Sequence, residues 1–210
     1  SEDRRTLVQK QMVLEYHQNR ISAQMPSVHL SARGSGRLFD MTYKLWAATV
    51  RLASESVNIL SPRLVFTGET NIKADTARGG MSTFNLDLSG SVVTAASATI
   101  RPKRLSAGGR LVRDRKGNHR ISGRLKFADT RFEANPANIV LHGAQGSIPF
   151  KFPAAISGQK GMISIKNTRF KQLDLGSVQA DVQQTTSGLA FNGKMKNPML
   201  PALAVQFSGT

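Results

Sequence analysis

Apolar residues in this chain recur at every second position over most of its length. In "FNLDL" Phe84, Leu86 and Leu88 alternate with polar residues. Ile121, Gly123, Leu125 and Phe127 continue the pattern, as do Ile148, Phe150 and Phe152, and then Leu203, Val205 and Phe207. In "LWAATVRLA" the same spacing places Trp46, Ala48, Val50 and Leu52 on one face. Successive side chains of a strand point to opposite sides, so such alternation predicts strands with one face covered and one wet. The runs are separated by "ARGSG", "ARGG", "RKGNH", "ANPAN", "SGQKG" and "KNPMLP", which are turn compositions. "DRKGNH" (Asp114–His119) reads as a hairpin tip, because Gly117-Asn118 can take the positive φ of a tight turn.

Only the first 25 residues invite a helix. Leu7, Val8, Gln11, Met12 and Glu15 stand near helical spacing, but Met12, Leu14 and Tyr16 alternate, and so do Ile21, Ala23 and Met25. Strand is the better reading. The chain is therefore expected to be all-β: a sandwich, a barrel or an extended sheet. At 210 residues it can form one or two domains. We expect one continuous β-rich unit over 1–210, with 1–100 and 101–210 as the alternative division. Residue 1 is Ser and the last letters, "VQFSGT", stop within a strand-like pattern, so a piece of a longer chain is expected. No apolar run approaches the roughly 18 residues that span a bilayer, and any anchor is expected outside this sequence.

A weak echo runs through the chain. "IKADTAR" (Ile72–Arg78), "LKFADTRF" (Leu125–Phe132) and "IKNTRF" (Ile165–Phe170) each read as a strand ending in Lys, then a Thr-containing turn with Arg. "NLDLSGSV" (Asn85–Val92) and "QLDLGSV" (Gln172–Val178) follow the first and third. The spacing is not fixed, so this is no strict solenoid period. One supersecondary unit used several times is expected, and sheets assembled that way tend to be elongated.

Chemistry-bearing patterns are scarce. There is no cysteine, so disulfides and thiolate metal sites are excluded. His17, His29, His119 and His142 lack metal-ligand spacing, and each reads as structural or surface. "GLAFNGKM" (Gly188–Met195) approaches a phosphate-binding loop, but Met195 stands where a hydroxyl would hold magnesium, and Leu189 and Phe191 alternate as in a strand. Asp87 and Asp174, each between two leucines, read as solvated partners of neighbouring arginines. No catalytic residue, metal site or cofactor is expected. The net charge is +16, and between Arg101 and Arg131 eleven Lys/Arg face two acids. Such a surface attracts polyanions: nucleic acid, anionic lipid or lipopolysaccharide. With 6% aromatics and no recognition-helix pattern, nucleic acid is not the expected partner.

One stretch carries a resemblance. Ile148-Pro149-Phe150 before a strand pair, "LDLGSV" at Leu173–Val178 and the close "LAFNGKMKNPMLP" resemble the C-terminal part of YdbH-like proteins. These belong with the AsmA-like envelope group that includes TamB and YhdP. The resemblance covers roughly residues 120–210; the N-terminal half agrees in style only. It implies a long, curled antiparallel sheet, open along one side like a taco shell, with an apolar groove. It also implies a periplasmic location in a Gram-negative envelope, an inner-membrane anchor, and a part in moving phospholipid towards the outer membrane. An outer-membrane or periplasmic protein partner would fit that setting. It brings no catalytic residues.

A groove reading needs an apolar strand face and no reactive groups. The candidate lining is Trp46, Val50, Phe84, Leu86, Ile148, Phe150, Ile163, Ile165, Leu189, Phe191, Val205 and Phe207. Its ligand would be phospholipid or another acyl-chain lipid. The competing reading is a basic β-sandwich serving as an interaction or structural subunit of a secretion or envelope assembly. Two local expectations follow from phase. Gly176 should mark a bend or bulge between the strands carrying Leu173–Leu175 and Val178–Val182, since the alternation changes parity across it. Ile148, Phe150 and Phe152 should share a face with Lys151 opposite, and Pro149 and Pro153 should place that strand at an edge or point away from its partner.

Overall fold

The computed structural model describes residues 2–9, 12–16, 21–25, 27–35, 39–54, 57–72, 80–113, 118–154, 158–197, 199 and 204–209. They form fifteen strands: β1 (Glu2–Gln9), β2 (Met12–Tyr16), β3 (Ile21–Met25), β4 (Ser27–Ser35), β5 (Phe39–Ala53), β6 (Val57–Ile72), β7 (Gly80–Asp87), β8 (Val92–Ala95), β9 (Ala98–Arg113), β10 (His119–Ala134), β11 (Ile139–Phe152), β12 (Gly161–Phe170), β13 (Leu173–Gln184), β14 (Leu189–Lys196) and β15 (Ala204–Gly209). The opening residues that could have been helical are strands β1 to β3.

Twelve strands follow one another in a single antiparallel sheet, in the order β1-β4-β5-β6-β7-β9-β10-β11-β12-β13-β14-β15. β2 pairs with β3, β3 with β5, and β8 bridges β6 and β9. The sheet is open: its first and last strands do not meet, so it is not a barrel. Nor do the described residues split into the two sheets of a sandwich. At 16 residues each, β9 and β10 are longer than the expected short strands. Such a strand reaches about 54 Å at ~3.4 Å per residue, and twelve strands span about 58 Å at ~4.8 Å each. The chain exposes 14428 Å², whereas a compact monomer of 22.8 kDa would expose roughly 9,600 Å². Much of one sheet face therefore remains uncovered.

That face stays apolar because the strands change phase together. In β5 the apolar face carries Tyr43, Leu45 and Ala47, then Val50 and Leu52; the slip falls at Thr49, whose φ is 56°. β10 slips at Asp129 (φ 49°), between Phe127 and Thr130, and β11 at Gly143 (φ 62°), between Leu141 and Ala144. β13 slips at Gly176 (φ 88°), where the pairing with β12 is irregular. Thr49 lies beside Pro62, Lys103 opposite Asp129, and the Lys166 stem beside Gly143, so the slips form one transverse crease. Pro62 and Pro102 sit along it, where a disturbed ladder tolerates a missing N–H donor.

The crease explains three sequence expectations. Gly176 is the bulge that its parity change predicts, within one strand and not between two. The echo at Leu125–Phe132 and Ile165–Phe170 is not a turn: both segments lie inside strands and cross the crease. Their threonines, Thr130 and Thr168, come just after it and are buried. Residues 73–78 of the first copy and the hairpin tip at 114–117 lie outside the described residues, although Arg113 does pair with His119. Trp46 is the correction. The slip at Thr49 puts Trp46 and Ala48 on the opposite face from Val50 and Leu52, and Trp46 pairs with Val65 in the row of Asp87, Ser106 and Lys126.

On the far side of the crease from Ile100 and Phe132, aromatic rings lie over glycines. Tyr43, Gly68, Phe84, Gly109, Gly123 and Phe150 are successive partners across six strands. The rings lean into the space above the glycines: a Cβ on Gly123 would stand 2.8 Å from the Phe150 ring, and one on Gly109 3.1 Å from the Phe84 ring. Phe66, in the next row, stacks between Tyr43 and Phe84 with centroids 5.7 and 6.2 Å away. Phe127 over Gly146 and Phe191 over Gly209 repeat the pairing. The same Cβ atoms would also meet backbone, since Gly109 and Gly123 oppose each other. Gly123→Ala and Gly109→Ala are thus expected to lower stability by about 1–3 kcal/mol. Gly158→Ala and Gly188→Ala, with nothing within 4 Å of the new methyl, should stay within about 0.5 kcal/mol of the parent. Denaturant titration of the four variants checks this.

Candidate functional site

The apolar face can be followed row by row. Leu45, Phe66, Leu86, Ala107, Leu125 and Ile148 are successive cross-strand partners from β5 to β11. Beyond the crease Leu52, Ile59, Val93, Ile100, Phe132 and Leu141 form another such row, which ends at the polar Thr168. Residues directly opposite in an antiparallel pair share a face, so these rows are continuous apolar strips. Between them lies a cavity of about 560 Å³. Its lining spans β6 to β12 and includes Leu86, Leu88, Leu105, Leu125, Phe127, Phe132, Leu141, Ile148, Ile163 and Ile165. Among the described residues Ser106 and Thr130 are the polar ones in its lining, Ser106 belonging by register to the row of the opposite face, and none of the described lining side chains is ionisable. Its size falls in the range of about 300–1,000 Å³ common for small-molecule sites, but without the convergent polar groups that fix a polar ligand.

The residues expected from sequence fall into several places. Leu86, Ile148, Ile163 and Ile165 meet in this cavity. Phe84 and Phe150 flank it over Gly109 and Gly123. Val50 is fully buried in a cluster with Ala47, Leu64 and Leu88, a closed spot and not an open one. Leu189, Phe191 and Val205 are exposed on β14 and β15; Phe191 opposes Gly209, and Val205 opposes Met195. The side chain of Phe207 lies outside the described residues, and its backbone pairs with Gly193. Trp46 is on the other face. Phe132, Ile100 and Leu141 were not among the expected lining, because the crease shifts them out of the alternation that finds Leu125 and Ile148.

Ile148, Phe150 and Phe152 do share a face, paired with Leu125, Gly123 and Ile121, while Lys151 pairs with Ser122 on the other. β12 accompanies β11 only as far as Ser147. Past that point the open side of β11 has no strand. The carboxamide of Gln184 fills it: Oε1 accepts from the Lys151 N–H, and Nε2 donates to the Lys151 carbonyl at 2.9 Å. Backbone groups alternate sides along a strand, so Pro149 turns its donorless nitrogen to that same vacant side.

The polar face carries the charge. Near the crease the ions are paired: Arg101 and Arg131 hold Glu133 at 2.7 and 2.6 Å, and Lys103 lies 3.3 Å from Asp129. Pairing with arginine was expected of Asp87 and Asp174, and among the described residues neither makes such a pair. Their Oδ1 atoms accept the backbone N–H of Ser89 and Gly176, each at 2.8 Å, which starts the bend into Gly90 and Gly176. Further along, a second cavity of about 790 Å³ opens with Arg110, Arg124, Lys126 and Lys151 around it. Among the described residues no group of His, Cys, Asp or Glu could hold a metal ion, and no helix is long and apolar enough to cross a membrane.

Comparison with protein-family models, with curated proteins and with solved structures finds no match to this chain.

The hydrogen bond from Arg101 holds the Glu133 carboxyl below the usual carboxylate range; desolvation opposes it, and the charges of Arg131 and Arg101 add to the lowering. A depressed folded value means that this contribution is present above the ordinary carboxylate pKa and lost as pH falls through the folded one. Glu133→Gln should therefore give a small loss of stability near neutral pH that vanishes in strong acid. Denaturant midpoints of parent and variant, measured at both ends of that window, test it.

Proposed function

We propose that the apolar face of this sheet shields the acyl chains of lipids, as a segment of a bridge-like protein carrying phospholipid between the inner and outer membranes of a Gram-negative envelope. The observation that carries the reading is the apolar face of the open sheet: row after row of aliphatic and aromatic side chains around a cavity whose described lining holds no ionisable group. Acyl chains are held by area, not by positioned polar groups. Each buried methylene contributes about 0.8 kcal/mol, so ten contribute about 8 kcal/mol before the cost of ordering them. The resemblance of residues 120–210 to YdbH-like proteins supports the cellular setting, the periplasm.

The test is a photo-cross-linking residue at Phe150 or Ile165 in cells, with adducts analysed by mass spectrometry. Lipid adducts at these positions are expected. Protein adducts alone, with no lipid at either, would overturn the reading in favour of an interaction subunit. Charge substitution sharpens the result. Ile165→Asp should abolish lipid adducts and leave the fold largely intact, because an open face can hydrate the new carboxylate. Val50→Asp traps the same charge in the closed cluster with Ala47, Leu64 and Leu88 and should unfold the protein. Far-ultraviolet circular dichroism distinguishes the two.

A further inference from the structure

We propose that the cavity on the polar face is a binding site for a compact anion carrying two or more phosphate groups. It lies on the opposite side of the sheet from the apolar groove, and the inference does not depend on what that groove holds. Cross-strand register builds the site. Thr67, Asn85, Gly108, Arg124 and Pro149 form its central row. Asp87, Ser106 and Lys126 lie in the row on one side, and Arg110, Ser122 and Lys151 in the row on the other. The floor is short: Gly108 has no side chain and the Asn85 carboxamide lies over it, and Ser106 and Ser122 add only hydroxyls. Long cationic side chains stand around it, which makes a basin of about 790 Å³ and not a flat basic surface.

The charge there is uncompensated. Among the described residues four cations face one carboxylate, Asp87, whose Oδ1 is already taken by the Ser89 N–H. Arg124 is half-buried and donates only to neutral acceptors, the Ser147 hydroxyl at 3.3 Å and the Gln159 carboxamide at 3.4 Å. Arg110, Lys126 and Lys151 make no ion pair among the described residues. The contrast lies within the same two strands: near the crease, Arg101, Lys103 and Arg131 are all matched by Glu133 and Asp129. Cations left unmatched around a hydroxyl-lined floor fit an anion that brings both charge and hydrogen-bond acceptors. Phosphate oxygens do both, and the guanidinium fork of Arg110 or Arg124 can take two of them at once. The spread of the four cations over three rows fits several phosphates better than one.

Tripolyphosphate is the soluble probe, followed by titration calorimetry on the whole chain at several salt concentrations. Binding is expected, weakening steeply with salt. Arg110→Gln with Arg124→Gln should weaken it about tenfold or more, and Lys126→Gln alone, at an exposed position, by less in the same direction. Lys194→Gln with Lys196→Gln removes the same charge from exposed positions on β14 and should change little. Co-sedimentation with phosphatidylcholine vesicles containing phosphatidic acid gives the second arm. Sedimentation that depends on Arg110 and Arg124 assigns the phosphates to lipid headgroups. Tripolyphosphate binding with no such sedimentation assigns them to a soluble ligand. No binding in either arm, or equal weakening by the β14 control, overturns the proposal.

Discussion

A long strand in a sheet with one apolar face must keep its side chains in phase over its whole length. Twist and bending work against this, and a bulge that relieves the strain moves every later side chain to the other face. In this sheet the relief is shared. Thr49, Asp129, Gly143 and Gly176 take left-handed backbone conformations along one line, and the apolar pattern of each strand resumes one residue out of step. Had β10 slipped alone, Thr130 and Phe132 would pair with residues facing the wrong way. Thr49 and Asp129 carry side chains in a region that costs about 1–3 kcal/mol. They are held there by partners that slip beside them.

The aromatic rows follow from the same constraint. An open sheet lacks a second layer to fill the space above its glycines, so cross-strand rings fill it. Phe84 and Phe150 cover Gly109 and Gly123 from the two sides, and the backbones of β9 and β10 approach closely beneath them. The rings protect the hydrogen bonds of the ladder without a packed core. Among the described residues the buried apolar cluster is correspondingly small: Ala47, Val50, Leu64 and Leu88.

What could be read from the sequence was whatever stays in phase. Ile148, Phe150 and Phe152 with Lys151 opposite, the parity change at Gly176 and the strand class of β1 to β3 were all open to a period-two reading. Trp46 and Val50 were not, because Thr49 carries no sign that it will adopt positive φ; only the neighbouring strands impose it. The echo of "ADT" and "NT" was visible, but its meaning was not. A short polar residue followed by threonine reads as a turn when the partner strand is unknown, and in this fold it is a slip inside a strand. Asp87 and Asp174 were legible as exposed, yet their use as acceptors for the next backbone amides depends on the bend itself. The polar basin was hidden for a different reason: its cations come from β9, β10 and β11, and only pairing brings Arg110, Arg124 and Lys151 around Gly108.

Gln184 has a consequence for how this chain behaves in a crowd. A carboxamide carries one donor and one acceptor at the spacing of a peptide group, so at Lys151 it impersonates the strand that β12 fails to supply. Bare main chain beside Phe152, which is 66% exposed, would otherwise offer a sticky template to any extended segment nearby. A single side chain occupying that slot denies the first rung to an intruder, so self-association by strand capture would have to start somewhere else on the molecule.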